Sequence, residues 1–178
     1  TTILTEDGFE SSRSTPVEVP ATVDDSAEDL DLLLRASGEE GPYVLAGHSL
    51  GGPIVRLYAA AHPDDVAGIV FIDALSENLG DGLTAAQVES FEQLNSAASQ
   101  GRPPGSEETF YSTAVVPLLR DVPAAPPVPT IVLTADEWPL TAEVVESGRA
   151  AGTLPEFVTV EFTDALWASQ LVAQDVLA

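Results

Sequence analysis

Apolar residues recur at helical spacing in two stretches near the start of the chain. Between residues 23 and 37 they appear every three or four positions, after the capping residue Thr22 and before Gly38, which predicts an amphipathic helix. Residues 50–61 are apolar around nearly the whole helical circumference, and His62-Pro63 ends that pattern. A second helix, buried over most of its surface, is therefore predicted there.

Continuous apolar runs mark the predicted strands. One lies between the two helices at 43–46, others lie at 68–72 and 130–134, and a shorter one lies at 2–5. Such runs are typical of parallel strands that are covered on both faces. Strands that alternate with helices predict βαβ crossovers. We therefore expect an α/β fold, with a three-layer, mostly parallel sheet and helices on both faces.

The strand pattern breaks between residues 76 and 128. Two helices are predicted there, near 84–98 and 107–119, and a proline-rich connector follows at 121–129. We interpret this stretch as a helical cap or lid that is inserted into the core. The expected organisation is a first core part, a cap and a second core part, over residues 1–75, 76–128 and 129–178.

The second core part is predicted to contain two helices after its strand. Their apolar patterns span residues 141–151 and 164–178. Between them, the aromatic and β-branched residues at 157–160 favour a short extended piece.

The charge of the chain narrows its possible partners. It carries 29 acidic residues against 6 basic ones, a formal net charge of −23. A surface this negative repels phosphate backbones and anionic lipids, so we expect neither nucleic acid nor a membrane as partner. Cysteine is absent, which excludes disulfides, thiolate catalysis and cysteine-based metal sites. The chain has two histidines, His48 and His62.

One short motif carries chemistry. The segment Gly47-His48-Ser49-Leu50-Gly51-Gly52 has the G-x-S-x-G spacing of a nucleophile elbow, between a predicted strand and a predicted helix. Such a turn presents the serine hydroxyl above the sheet, and the flanking glycines are expected to remove side chains that would clash. The N–H of Leu50, at the start of the helix, is the expected oxyanion donor.

The motif and its surroundings resemble the α/β-hydrolase superfamily. The likeness is carried by residues 41–52 and 60–73 and returns at 129–135. It implies a Ser–acid–His triad in which Ser49 is the nucleophile. It also implies that residues 76–128 correspond to the cap of that family.

The resemblance leaves two places for the acid of the triad. Asp136, next to Glu137 after the last predicted strand, is the preferred candidate. Asp73, at the end of the strand that follows the elbow helix, is the alternative. Four apolar or aromatic residues of the cap could line an acyl pocket or could pack the cap onto the core: Phe91, Leu94, Phe110 and Tyr111.

The histidine is where the chain departs from the family. The family places it after the acid, whereas no histidine follows residue 62 here. His48 adjoins the nucleophile and points elsewhere, and His62 lies at the far end of the elbow helix, about 18 Å from its start. Loops before the elbow that carry the second oxyanion donor are also missing. We therefore expect a fragment of a hydrolase of about 250–300 residues, inactive by itself.

The resemblance implies a serine hydrolase that cleaves a carboxylic ester or a related acyl bond in a small, apolar substrate, without a cofactor. Acidic clusters such as Asp24-Asp25 lack an accompanying histidine or a loop of fixed spacing, so no metal site is expected. Two alternatives stay open: a non-catalytic binding module with the hydrolase fold, and a cofactor-free perhydrolase or haloperoxidase-type enzyme. Oligomeric state and compartment are left undetermined by the sequence.

Overall fold

The computed structural model describes residues 22–100 and 112–177 of the chain. Its strands are β1 (Tyr43–His48), β2 (Val66–Ile72) and β3 (Thr130–Leu133). Its helices are α1 (Val23–Ser37), α2 (Gly51–Ala61), α3 (Ala85–Gln100), α4 (Ser112–Asp121), α5 (Ala142–Ala150) and α6 (Val160–Leu177). The predicted strand at 2–5 lies outside the described residues.

The three strands form one parallel sheet in the order β1-β2-β3. Ala46 of β1 pairs with Val70 of β2, and Val70 pairs on its other side with Ile131 of β3. All three carboxyl ends therefore lie at the same edge of the sheet. The predicted parallel α/β fold is confirmed, and the described residues form part of it.

Helices α1 and α2 cover one face of the sheet. Alternate residues of β1 and β2, such as Leu45 and Phe71, point to this face and are buried against both helices. Helix α1 begins at a capping box, in which Thr22 and Asp25 exchange hydrogen bonds between backbone and side chain. The helix predicted over 23–37 is therefore confirmed.

The other face of the sheet carries apolar side chains that are open in the described part of the chain. Val44 of β1 is 68% exposed, and Ile131 and Leu133 of β3 are 57% and 52% exposed. The strands carry apolar side chains on both faces of the sheet, as the continuous runs predict. The described helices bury only one of these faces.

Helix α6 begins earlier than the sequence pattern predicts. The extended piece expected at 157–160 is wrong, because Phe157 lies in a turn, no strand forms at 158–159, and Val160 is the first residue of the helix. The Thr159 hydroxyl accepts a hydrogen bond from the Phe162 N–H at 3.2 Å, which caps the first turn. Burial of Phe162 and Leu166 then outweighs the β propensity of the preceding residues.

Two helices, α3 and α4, occupy the stretch expected to form the cap. Thr84 and Gln87 form a capping box at the start of α3. Buried Val115 and Leu119 attach α4 to Leu57 of α2. The division into core, cap and core stays a prediction.

Candidate active site

Ser49 lies at a sharp turn between a strand and a helix. Strand β1 ends at His48, and α2 begins at Gly51. The backbone of Ser49 has a φ of 49°, a conformation that non-glycine residues adopt at a cost of about 1–3 kcal/mol. This is the backbone geometry expected of a nucleophile elbow.

Both backbone polar groups of Ser49 have partners that hold this turn. Its N–H donates to the Ile72 carbonyl at 3.1 Å, which continues the pairing of β1 with β2. Its carbonyl accepts from the Leu75 N–H at 2.9 Å and from the Gly52 N–H at 3.1 Å. The unusual conformation is therefore fixed from the helix side and from the segment after β2.

The glycines around Ser49 serve different purposes. A Cβ on Gly47 would overlap the carbonyl of Gly51, so the first motif glycine is sterically required. A Cβ on Gly51 would meet only open space, whereas one on Gly52 would lie 2.5 Å from the Cβ of Ala74. We expected the second motif glycine, Gly51, to be required because a side chain there would clash. The residue where a side chain would clash is instead its neighbour Gly52.

Leu50, the expected oxyanion donor, is the N-cap residue of α2. The first N–H groups of a helix have no partner within the helix and carry the positive end of its dipole. The elbow thus places the N–H groups of Leu50 and Gly51 next to the serine, where an anion would be stabilised.

Asp73 follows β2 as Ser49 follows β1. It has a φ of 45°, and its N–H donates to the Leu133 carbonyl of β3 at 2.7 Å. Its Oδ1 is buried and has no hydrogen-bond partner within the described residues. A buried carboxylate oxygen without a donor is uncommon and calls for an explanation.

Asp136 lies in a different environment. It is exposed, in the loop that follows β3, and so is its neighbour Glu137. Because β2 separates β3 from β1, this loop starts about two strand spacings, or about 10 Å, from the strand of Ser49. The next residue of the loop, Trp138, stacks on Trp167 of α6 with ring centroids 5.1 Å apart.

Neither histidine is bonded to Ser49. His48 is exposed at the end of β1, and no hydrogen bond among the described residues joins either imidazole to the Ser49 hydroxyl. His62 is the C-cap of α2, with its Nε2 3.7 Å from Asp31 and its ring 4.7 Å from that of Tyr58. Burial of Tyr58 raises the pKa of its phenol.

Two of the cap residues considered for an acyl pocket pack instead. Phe91 and Leu94 of α3 contact the cluster formed by Leu79, Phe162 and Leu166. In the described structure they attach α3 to α6. The other two candidates, Phe110 and Tyr111, lie outside the described residues.

The sequence pattern did not single out one pair of residues close to the elbow. Arg56 of α2 forms an ion pair with Glu77, in the segment after β2. The available signal was Arg56 itself, the one charged residue of an otherwise apolar helix.

Comparison with known proteins identifies the family. The sequence pattern of the alpha/beta hydrolase fold matches residues 8–127, about two thirds of the chain. The chain belongs to the alpha/beta hydrolase family. The match includes the turn at Ser49 and the strand end at Asp73.

Curated relatives of this family member match over short stretches. The chain is 35% identical over 72 residues to the probable transporter efuK of Hormonema carpetanum, covering 39% of the chain and 10% of that protein. It is 43% identical over 58 residues to lipase LipV of Mycobacterium tuberculosis, covering 33% and 22%. It is 44% identical over 45 residues to a pyrethroid hydrolase of Sphingobium wenxiniae, covering 25% and 15%. The matches span less than a quarter of the length of each of these relatives.

The described residues lack two kinds of feature. They contain no helix long and apolar enough to cross a membrane. They also contain no group of three acidic, histidine or cysteine side chains that could hold a metal ion.

Proposed function

We propose that the chain carries the nucleophile of a serine hydrolase that cleaves carboxylic esters or related acyl bonds. The observation that carries the proposal is the positive-φ turn at Ser49, between the end of β1 and the start of α2. An esterase-type activity agrees with membership of the alpha/beta hydrolase family and with the similarity to a lipase and a pyrethroid hydrolase.

The reaction follows from the position of the hydroxyl. The Ser49 oxygen forms a bond to the acyl carbon, its proton passes to a general base, and the carbonyl becomes an oxyanion near the Leu50 N–H. Collapse expels the alcohol, which takes the proton from the base. Water then attacks the acyl-enzyme in the same way and releases the acid and free Ser49.

Asp73 is our choice for the acid that orients the base. Its buried Oδ1 has no donor within the described residues, and an imidazole N–H would supply one. Its strand is adjacent to that of Ser49, while the preferred sequence candidate Asp136 is exposed in the loop after β3, the strand beyond. A carboxylate shielded from water stabilises an imidazolium more strongly than an exposed one.

The base itself is not among the 178 residues. Without it the Ser49 hydroxyl is a weak nucleophile, and loss of a triad histidine costs about 10⁴–10⁶ in turnover. We therefore propose that the chain as given is inactive and that a histidine supplied by a longer product of the same gene completes the triad. The substrate is a small ester, and the net charge of −23 disfavours anionic ones.

The test compares two proteins and one substitution. The longer gene product should react with a serine-directed fluorophosphonate and hydrolyse a p-nitrophenyl ester, and Ser49→Ala should abolish both. The 178-residue chain should hydrolyse the ester no faster than its own Ser49→Ala variant. Absence of labelling in the longer protein would indicate a binding module instead. Peracid formation without ester hydrolysis would indicate the perhydrolase alternative.

A further inference from the structure

The segment of residues 74–81, which follows β2, is bound on several sides. Its Leu75 N–H donates to the carbonyl of Ser49. From α4, Arg120 donates to the Glu77 carbonyl at 3.0 Å and to the Asp81 carboxylate at 2.6 Å. This clamp segment therefore connects the elbow to the helices around it.

Helix α6 also holds the clamp segment, through buried side chains. The amides of Gln170 and Gln174 both donate to the Ala74 carbonyl, and the Ser169 hydroxyl donates to that of Leu79. All three side chains belong to buried residues. The backbone on both sides of Leu75 is thereby fixed.

Helix α2 touches the clamp segment at two points on one of its faces. Gly52 packs against Ala74, and Arg56, one turn later at the i+4 position, is paired with Glu77. Gly52 also donates its N–H to Ser49. Helix α2 starts at the elbow, and the clamp segment binds the Ser49 carbonyl. These two elements are therefore joined next to Ser49.

The Arg56–Glu77 pair is shielded from solvent, with side-chain exposures of 15% and 13%. Removing two charges from water costs about as much as their attraction returns, so such a pair contributes little net stability. It does restrict geometry, because either charge left alone would be buried and unpaired. Within the described residues the second carboxylate oxygen of Glu77 is buried without a donor, so Arg56 is the charged partner that Glu77 depends on.

We propose that the Arg56–Glu77 ion pair is a positioning device for the nucleophile. It holds the Leu75 N–H on the Ser49 carbonyl, which keeps Ser49 in its positive-φ conformation and its hydroxyl above the sheet. The catalytic meaning of this role rests on the proposed function, whereas the effect on the Leu75 hydrogen bond does not.

The experiment measures amide hydrogen exchange in the 178-residue chain. The variants are Glu77→Gln, which keeps the shape of the side chain and removes its charge, Arg56→Met, and the double variant. The reporter is the Leu75 amide, and the reference is the Ile69 amide, which donates to Pro129 in the core of the sheet. The control for loss of global stability is Val145→Ala, which leaves a cavity at a fully buried residue of α5.

The proposal requires selective loss at Leu75. Protection of Leu75 should fall about tenfold or more relative to Ile69 in each single variant, and the double variant should lose no more than either single one. In Val145→Ala the ratio of protection at Leu75 to protection at Ile69 should stay unchanged. Parallel changes at Leu75 and Ile69 in Glu77→Gln, or additive losses in the double variant, would overturn the proposal. If Glu77→Gln does not fold, Arg56→Met alone tests the loss at Leu75, and Arg56→Lys, which keeps the charge opposite Glu77, should retain more of the protection.

A second readout separates this proposal from the proposed function. In the longer, histidine-bearing gene product, Glu77→Gln should lower kcat about tenfold and leave KM within about twofold, because substrate contacts are untouched. An unchanged kcat would refute the positioning role. Full activity of Ser49→Ala would refute the proposed function instead, and the exchange result would still stand.

Discussion

Ser49 and Asp73 occupy equivalent positions at the ends of two adjacent parallel strands. Each is the first residue after its strand, and each has a positive φ, of 49° and 45°. The Ser49 N–H is bonded to the Ile72 carbonyl, directly before Asp73. Two strained residues at one sheet edge, one with a hydroxyl and one with a carboxylate whose Oδ1 is buried, are typical of a functional site.

Asp73→Asn should separate stability from activity. At pH 7 we expect the free energy of unfolding of the 178-residue chain to change by no more than about 1 kcal/mol, because the buried Oδ1 has no hydrogen bond to lose within the described residues and asparagine tolerates positive φ. In the longer gene product, kcat for a p-nitrophenyl ester should fall by about 10⁴. Urea unfolding and steady-state kinetics measure the two effects.

The matched control for that substitution is Asp136→Asn. Its carboxylate is exposed, so both stability and kcat should change little. A large loss of kcat in Asp136→Asn, with Asp73→Asn active, would reverse the assignment of the acid.

Gly52→Ala should destabilise the chain, and Gly51→Ala should not. The added methyl at Gly52 meets the Cβ of Ala74 at 2.5 Å, and such overpacking costs about 1–3 kcal/mol. At Gly51 the methyl enters open space, where the higher helix propensity of alanine adds up to about 1 kcal/mol. Urea unfolding of the two variants gives the comparison, and equal midpoints would contradict it.

Ser49→Gly should stabilise the fold. Glycine adopts positive φ without a Cβ penalty, so relief of strain outweighs the extra freedom of the unfolded chain, with a net gain of about 1 kcal/mol. Ser49→Ala is the control, since it removes the hydroxyl and keeps the Cβ. If thermal unfolding shows no advantage of glycine over alanine, the backbone at this residue is not strained.

The α1 cap should make stability depend on pH in the acid range. The Thr22 backbone and side-chain donors lower the pKa of Asp25 from its ordinary value of 3.8. Because the folded value is the lower one, the contribution is complete above the unfolded pKa and disappears as the pH falls through the folded one. The Tm of Asp25→Asn should therefore lie below that of the parent chain at pH 6, and the difference should shrink below pH 4.

The control for the cap is Asp29→Asn, on the same helix and also exposed. Asp29 lies outside the capping box, so the Tm of Asp29→Asn should lie closer to that of the parent chain at pH 6 than the Tm of Asp25→Asn does. A constant difference for Asp25→Asn from pH 6 to below pH 4 would contradict the role of its charge.

Much of the fold could be predicted because its signals are local. The 3.6-residue spacing at 23–37, the apolar runs at 43–46 and 68–72, and the glycines around Ser49 each act within a few residues along the chain. They established the parallel α/β architecture and the strand-to-helix turn. The error at Val160 arose where a local β preference met burial against distant helices, which periodicity does not report.

Pairings across long separations were decided only by the tertiary structure. Nothing in the spacing of Arg56 and Glu77 marks them as partners, since they meet because α2 returns along the sheet beside the segment after β2. Our proposal of Asp73 rather than Asp136 as the acid likewise rests on the buried Oδ1 of Asp73 and on the strand order, neither of which is readable from the sequence. The sequence by itself determined which residue types the site contains. Burial and strand order, which depend on the whole chain folding at once, decided how they are arranged.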